Sequence, residues 1–197
     1  MKYTTQDPMK LFANWYNEAK DKEINDPNAM SIATMNEDGY PNVRIVLMKD
    51  FNEKGITFYT NYNSAKGQEL IRFPKSALCF HWKSLQKQVR IRGDVEQVDD
   101  KTADEYFASR PRLSQIGAWA SKQSSIIEDN LEFEKRIAYY TAKYAIGNVP
   151  RPPHWSGFIV KPISFEFWQN GEFRIHKRLK YTKISETAEW VTKNLYP

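Results

Sequence analysis

The spacing of apolar residues along the chain alternates between a helical period and a strand period. An apolar stripe at helical spacing lies near the N-terminus: Leu11, Phe12, Trp15, Tyr16 and Ala19. Asp7 suits an N-cap and Pro8 suits a first turn, so the pattern predicts a helix over about residues 7–23.

Short apolar runs bounded by turn residues follow this helix and predict strands. We expect the strands at 30–35, 43–48, 56–60, 77–82 and 88–98, with turns at 36–39 and 52–55. Helices are predicted at 65–72, from a cap at Asp99 or Asp100 to Pro111, and at about 126–145, with a loop over 111–124. A Pro-rich turn at 149–153 leads to the final strands. Hairpins with inserted helices predict an α+β fold over about 28–197, an antiparallel barrel and not a doubly wound sheet.

The segment after Trp168 contains the most informative polar pattern. Read as a strand, residues 174–178 alternate between two faces. The positive and imidazole side chains then share one face: Arg174, His176 and Arg178. The other face carries Ile175, Lys177 and Leu179. Such a basic face is costly to bury without an anionic partner, although a solvated hairpin edge is the ordinary alternative.

Composition points to a globular protein that binds anions. A chain of 197 residues with 41% hydrophobic residues suits one domain, 1–197, or one subunit of an oligomer. The net charge of +5 favours anionic ligands. Acidic residues interleave with the basic ones and no dense basic tract occurs, so we expect small phosphorylated ligands and no nucleic acid.

The cellular setting follows from cysteine usage and from the apolar runs. Cys79 is the single cysteine, so no internal disulfide forms and reducing surroundings are expected. The N-terminus lacks an apolar signal region, and no run is long enough to span a membrane. We expect a cytoplasmic protein with no membrane partner.

Several standard chemical motifs are absent. The sequence contains no Gly-rich dinucleotide fingerprint, no P-loop and no Gly-x-Ser-x-Gly elbow. The three histidines lack zinc spacing, so no metal site is predicted. Phosphates would therefore be held by side chains and by the ends of strands and helices.

Candidate anion ligands occur at three places, each with an ordinary alternative. Arg44 and Lys49 bracket an apolar strand, where alternation puts them on opposite faces unless the strand ends or bulges between them. Tyr106 and Arg110 share a helix face, and Ser114 follows, a combination that suits a phosphate monoester but is also typical of simple packing. Residues 123–125 could present amides and hydroxyls to an anion, or only cap a helix.

Taken together, these segments resemble the pyridoxine 5′-phosphate oxidase family over about residues 7–197. The resemblance rests on ordered blocks at the family's spacing: RIVLMK at 44–49, FYTN at 58–61, SRPR at 109–112, SQIGAW at 114–119, SKQSS at 121–125, and FWQ at 167–169 running on to Arg178. Several such blocks in order are a specific signal.

The resemblance implies an FMN-binding split barrel that works as a homodimer, with each flavin held between subunits. The positions that match flavin ligands are Arg44, Ile45, Val46, Leu47, Met48, Lys49, Tyr59, Thr60, Lys66, Gln88, Gln123, Ser124, Trp168 and Arg178. The positions that match ligands of the substrate phosphate are Lys49, Tyr106, Arg110 and Ser114. Arg174 and His176 match the catalytic pair beside the pyridine ring of the substrate.

The implied reaction is oxidation of pyridoxine 5′-phosphate or pyridoxamine 5′-phosphate to pyridoxal 5′-phosphate. A hydride leaves the substrate for the flavin, and oxygen reoxidises the flavin to give hydrogen peroxide. The alternatives are a split-barrel flavoprotein that acts on another substrate, such as a flavin reductase, and a nucleic-acid-binding barrel. Retention of the substrate-side positions argues against the first of these.

The sequence departs from the family at four places. Ala65 stands where a basic residue often precedes Lys66, Lys177 replaces an acidic residue or Asn, and Asn194 replaces Arg. The N-terminal arm also lacks an Arg pair found in some members. We expect reduced flavin affinity and turnover, with the reaction class preserved.

Overall fold

The computed structural model describes residues 6–185 and 187–197. The helices in this part of the chain are α1 Pro8–Lys22, α2 Ala65–Arg72, α3 Asp100–Ser109, α4 Arg112–Ala120 and α5 Asn130–Lys143. The strands are β1 Ala29–Met35, β2 Pro41–Leu47, β3 Asp50–Asn52, β4 Gly55–Asn61, β5 Lys75–Trp82, β6 Lys87–Gln97, β7 Trp155–Gln169, β8 Lys177–Thr182 and β9 Val191–Leu195. Within the described residues, no helix combines the length and the hydropathy needed to cross a membrane.

The N-terminal helix forms where the apolar stripe predicts it. The Asp7 side chain accepts a hydrogen bond of 2.9 Å from the Met9 N–H, which caps the helix. All residues of the stripe except Tyr16 are buried against the sheet, where the ring centroids of Phe12 and Phe80 are 5.1 Å apart and Trp15 lies edge-on to Phe167. Each such side chain contributes about 1.5–3 kcal/mol by burial, so this helix closes one side of the core.

All strand pairs of the sheet are antiparallel, in the order β2-β1-β5-β6-β7-β4-β3, with β8 and β9 continuing from β7. The long strand β7 is the central element of the sheet. Its first half pairs with β4, its second half pairs with β8, and β6 lies along its other edge with a bulge after Arg92. The sheet curls around an aromatic core that includes Phe58, Phe158, Phe165 and Tyr181.

The predicted strands and the first two helices are confirmed to within a few residues. The first hairpin pairs Ile32 with Arg44, and its turn includes Gly39 at φ +83°, a conformation that favours glycine. The helix predicted after residue 99 is also confirmed, because Asp99 caps it by accepting from the Thr102 N–H.

The predicted loop over 111–124 is wrong, because residues 112–120 form α4. Pro111 was interpreted as the end of one helix, but proline suits the start of a helix equally well, and here it is the N-cap of the next one. Ile116 and Ala120, four residues apart, are buried on one face. The helix predicted from residue 126 begins instead at Asn130, capped by Asp129.

The predicted alternation over 174–178 is wrong for its first three residues. Residues 172–174 form a short 3₁₀ turn with φ of 54° at Phe173 and 64° at Arg174, and β8 begins only at Lys177. A Cβ added at Gly171 would lie 2.0 Å from the Ile175 carbonyl oxygen, so glycine permits this tight connection. From Lys177 onward the strand alternates as predicted, with Leu179 buried.

Candidate functional site

A cavity of about 520 Å³ lies where the end of β2, strand β4, and helices α2, α3 and α4 meet. Eleven of the predicted site residues line it: Ile45, Val46, Leu47, Lys49, Tyr59, Thr60, Lys66, Tyr106, Arg110, Ser114 and Gln123. They come from segments far apart in sequence, so the fold gathers groups that no local motif brings together.

Lys66 provides a buried positive charge at one part of this cavity. It lies in the first turn of α2, and its Nζ donates to Thr60 Oγ1 at 3.0 Å, Gln123 Oε1 at 3.2 Å and Ser64 Oγ at 3.4 Å. Burial lowers the pKa of Lys66, and the Arg44 charge lowers it further, although Glu69 opposes this. Among the described residues, no carboxylate lies within ion-pair distance of this ammonium, so an anionic ligand would stabilise it.

Arg44 lies within β2 and Lys49 lies beyond its end, and only Lys49 lines the cavity. The Arg44 side chain does not line the cavity and pairs instead with Glu69 at 3.2 Å and with Thr34. Burial acts to raise the pKa of Glu69, but hydrogen bonds from Thr34 and Asn42 and the Arg44 charge outweigh it and lower the pKa. Because β2 ends at Leu47, Lys49 can turn into the cavity.

Arg110 provides a second positive charge, at the C-terminal end of α3. Its Cζ lies 4.5 Å from the centre of the Trp155 ring, and its buried Nη1 has no hydrogen-bond partner among the described residues. Burial lowers the pKa of Arg110, and Tyr106 opposes that shift. Ser114 on α4 lines the same cavity. A guanidinium and two hydroxyls therefore face one space, as the spacing of the three residues predicts.

Two stacked tyrosines also line the cavity. The rings of Tyr59 and Tyr106 stack with centroids 3.9 Å apart and planes 12° apart. Burial raises the pKa of Tyr59 to about 12, and the nearby Tyr106 and Asp50 add to the shift. The Tyr59 hydroxyl therefore stays protonated at neutral pH and remains a hydrogen-bond donor.

The other predicted residues lie at the far end of β7. Gln88, Trp168 and Arg178 are paired neighbours on three adjacent strands and so share one face. The His176 ring lies 4.8 Å from the Trp168 ring, and its Nδ1 accepts from the Gly171 N–H at 3.3 Å. Arg178 pairs with Glu166 at 2.7 Å, while Arg174 is exposed on the 3₁₀ turn.

The two groups are well separated within one chain. Trp155 lines the cavity at the start of β7, and Trp168 stands thirteen residues further along the same strand. At about 3.3 Å per residue, roughly 40 Å of strand lies between them. The cavity and the second group therefore lie toward opposite ends of this strand.

Three predicted residues lie outside both groups: Arg44, described above, Met48 and Ser124. Met48 is buried in the core, where its side chain packs away from the cavity. Ser124 has φ 72° and lines a neighbouring depression against α5. A regular helix start was expected at residues 123–125, and this irregular backbone replaces it.

Several cavity residues were missed by the sequence analysis, and Trp155 is the most informative of them. The others are Asn61, Pro111, Gly117, Ala118 and Ser121. Asn61 donates to the Ser121 carbonyl oxygen at 3.4 Å and so links β4 to the end of α4. The only sequence signal for Trp155 was an aromatic residue at the start of a strand after a Pro-rich turn, which is too common to indicate a site.

Two known families match most of the chain. Residues 16–144 match the family described as pyridoxamine 5′-phosphate oxidase. Residues 155–197 match the family described as the pyridoxine 5′-phosphate oxidase C-terminal dimerisation region. The second match begins at the start of β7 and includes Trp168, Arg174, His176 and Arg178, whereas Gln88 lies in the first match.

Individual proteins give the same result. The chain is 56% identical over 191 residues to pyridoxine/pyridoxamine 5′-phosphate oxidase of Brucella canis, covering 97% of this chain and 94% of that protein. The crystal structure of PhzG from Burkholderia lata, in complex with tetrahydrophenazine-1-carboxylic acid, superposes with a TM-score of 0.92 at 26% identity, covering 99% and 95% of the two chains. A pyridoxamine 5′-phosphate oxidase-related, FMN-binding protein from Nostoc punctiforme superposes at 0.75 with 16% identity, covering 95% and 96%. The predicted antiparallel split barrel is therefore confirmed.

Proposed function

This chain belongs to the pyridoxamine 5′-phosphate oxidase family, and on that basis we propose how its residues carry out the family's reaction. It is an FMN-dependent enzyme that oxidises pyridoxine 5′-phosphate or pyridoxamine 5′-phosphate to pyridoxal 5′-phosphate. Oxygen is the electron acceptor and hydrogen peroxide is the second product. The chain forms a homodimer through its C-terminal region.

The cavity fits the phosphate end of FMN. Lys66 is a buried cation whose three hydrogen-bond acceptors are all neutral, so a phosphate supplies the missing negative charge. Thr60 and Gln123 lie against the same ammonium and can donate from hydroxyl and amide groups. Arg44 stays paired with Glu69 behind this cluster and contributes positive potential, not a direct contact.

The substrate phosphate binds at the second positive charge of the cavity, Arg110. Arg110 Nη1 is buried and lacks a partner among the described residues, a costly arrangement unless a ligand accepts its hydrogen bond. Tyr106 and Ser114 add hydroxyls beside it, and Lys49 adds a charge at the rim. A phosphate monoester matches this set because guanidinium and hydroxyl donors can bond different oxygens of the same group.

Each complete site is shared between two subunits. The cavity of one subunit contains the phosphate ligands, whereas Gln88, Trp168 and Arg178 lie roughly 40 Å away along β7. A second copy related by a two-fold axis can bring its own strand-end group over the first cavity, and the same contact then completes both sites. The match of residues 155–197 to a dimerisation region supports this arrangement.

The protein's contribution to the chemistry is binding, alignment and electrostatics. Bound FMN supplies the hydride acceptor and the reaction with oxygen. Arg110 and Tyr106 anchor the phosphate far from the reacting carbon, so binding energy there restricts the orientation of the pyridine ring. Arg174 and His176 of the second subunit stand beside the ring. Arg174 is held in a left-handed conformation, φ 64°, that directs its side chain independently of the strand.

The observation that carries this proposal is a pair of cations, Lys66 and Arg110, in one cavity without carboxylate partners in the described chain. The test is to purify the protein, release its flavin by acid precipitation and assay both phosphorylated substrates. We expect a yellow dimer that yields FMN and forms pyridoxal 5′-phosphate and hydrogen peroxide. A colourless monomer that FMN cannot reconstitute would refute the cofactor site. A yellow dimer that forms no pyridoxal 5′-phosphate would indicate a flavoprotein with another substrate.

A further inference from the structure

The guanidinium of Arg110 packs over the ring face of Trp155. The indole is 6% exposed, and the Arg110 Cζ lies 4.5 Å from its centroid, closer than the 5.5 Å to the Phe107 ring. Within the described residues, no carboxylate pairs with Arg110, so aromatic contacts define where its charge sits. A cation over the face of a desolvated indole is among the stronger of such contacts.

The indole itself is held on several sides. Its plane is 7° from that of the Tyr59 ring, with the two ring centroids 5.3 Å apart, and the Phe107 ring packs edge-on with its centroid 5.1 Å away. The backbone N–H of Trp155 donates a hydrogen bond to the Pro152 carbonyl oxygen at 3.0 Å. A ring fixed in this way offers a rigid platform, whereas the Arg110 side chain alone has four rotatable bonds and a high entropy cost of ordering.

The helix that carries Arg110 and the strand that carries Trp155 are also tied together. Arg151 bonds Asp100 at 2.7 Å and Asp104 at 2.5 Å, two residues on one face of α3. Its Nη1 also donates to the Trp155 carbonyl oxygen at 3.0 Å. The Arg151 side chain is largely buried, so this clamp holds the spacing between guanidinium and indole.

We infer that Trp155 is a positioning residue that aims the Arg110 guanidinium at the substrate phosphate. It thereby favours phosphorylated over unphosphorylated pyridines. The inference rests on the proposed function, because it requires that Arg110 binds the phosphate. Trp155 acts through Arg110, so its effect exists only when both Arg110 and the phosphate are present.

The test is a double-mutant cycle with Trp155→Leu, Arg110→Ala and the combined variant, all as FMN-loaded dimers. For pyridoxine 5′-phosphate, we expect Trp155→Leu to raise KM roughly tenfold while kcat stays within about twofold, because a desolvated cation–π contact is lost. Trp155→Phe retains a ring face and restores most of the affinity. In the Arg110→Ala background, Trp155→Leu has no further effect on KM.

Two controls separate positioning from general damage. Trp190→Leu removes a different indole, which is half-buried, packs on Phe165 and has Lys183 Nζ 4.9 Å from its ring centre; it does not line the cavity. This variant keeps the parental KM. Unphosphorylated pyridoxine provides the second control, since its kcat/KM should be the same in the parent and in Trp155→Leu.

The possible outcomes distinguish this inference from the proposed function. An equal KM increase from Trp155→Leu with and without Arg110 would overturn the inference, and so would an equal loss with pyridoxine. If Trp155→Leu fails to fold or loses FMN, Trp155→Phe carries the test with an expected increase of about threefold, again absent in the Arg110→Ala background. A parental enzyme that forms no pyridoxal 5′-phosphate would instead refute the proposed function.

Discussion

Replacing Lys66 with Ala should selectively weaken FMN binding. Lys66 is 8% exposed, and its ammonium donates hydrogen bonds only to neutral oxygens, from Thr60, Ser64 and Gln123. In the FMN-free protein this charge is poorly compensated, so its removal costs the apoprotein little stability. On the proposed assignment it pairs with the flavin phosphate in the complex, so the whole effect of the substitution should appear in the affinity.

The expected magnitude follows from the loss of one charge-assisted hydrogen bond. Such a bond contributes about 1.5–3 kcal/mol, which corresponds to roughly a 10- to 150-fold increase in the dissociation constant. The charge cannot be supplied by Arg44, which is already paired with Glu69 at 3.2 Å. Because Ala65 provides no second cation, we expect this chain to lie toward the upper end of that range.

The assay is titration of the apoprotein with FMN, followed by the quenching of flavin fluorescence. Lys122→Ala is the matched control, since Lys122 is a nearby lysine that is exposed and pairs with Glu132 at 2.8 Å. It removes the same charge but should leave the affinity within about twofold, because exposed ion pairs contribute little. An unchanged affinity in Lys66→Ala, or an equal loss in Lys122→Ala, would refute the assignment of Lys66 to the phosphate.

The lowered pKa of Lys66 also predicts how the stability of the apoprotein and its FMN affinity depend on pH. The folded apoprotein binds this proton less tightly than the unfolded chain, whose lysine has the ordinary pKa of 10.5. Between the lowered value and 10.5 the unfolded state therefore binds more protons, and the stability of the apoprotein rises with pH across that window. Lys66→Ala should abolish this rise. In the parent, FMN affinity should fall as the pH rises above the lowered pKa of Lys66, because the neutral amine cannot pair with phosphate.

Three further substitutions test other parts of the account. Arg110→Ala should lower kcat/KM for pyridoxine 5′-phosphate about 10- to 150-fold with FMN retained. Arg110→Lys should recover only part of this loss, because lysine lacks the planar guanidinium fork. Parental kinetics in both variants would show that Arg110 does not bind the phosphate. Arg174→Ala should slow anaerobic flavin reduction in single turnovers far more than Lys177→Ala does, because Lys177 is the first residue of β8 and lies on the same face as Leu179. Equal effects would contradict the placement of Arg174 beside the ring. Ala65→Arg adds the missing cation at an exposed position just before Lys66. In the same fluorescence titration it should tighten FMN binding about three- to tenfold. No gain in affinity would mean that the phosphate does not lie at the start of α2.

Local patterns predicted the fold well where the cause is itself local. The helix after Asp7 forms because its cap and apolar stripe are both contained in a few turns of sequence. The shared face of Tyr106 and Arg110 follows from a four-residue spacing, and the structure places both side chains in one cavity. α4 was missed because proline both ends and begins helices, and only the packing of Ile116 shows which applies here.

Site features that depend on distant contacts could not be predicted. The contact between Trp155 and Arg110 joins residues 45 positions apart and depends on how α3 packs beside β7. The conformation of Arg174 depends on the close approach of Gly171 to Ile175, which strand alternation does not anticipate. The separation of the two groups along β7 emerges only from the strand's fifteen-residue length and its pairing with both β4 and β8.

The sharing of each site between subunits is tested most directly by a mixed dimer. Arg110→Ala and Arg174→Ala chains with different affinity tags are co-expressed, and the heterodimer is purified through both tags. Its formation of pyridoxal 5′-phosphate is then measured at substrate concentrations well below KM. If each site takes Arg110 from one subunit and Arg174 from the other, one site carries both lesions and the other carries neither. The heterodimer should then show about half the parental activity, far above either variant homodimer. Activity no higher than that of the homodimers would contradict the shared site.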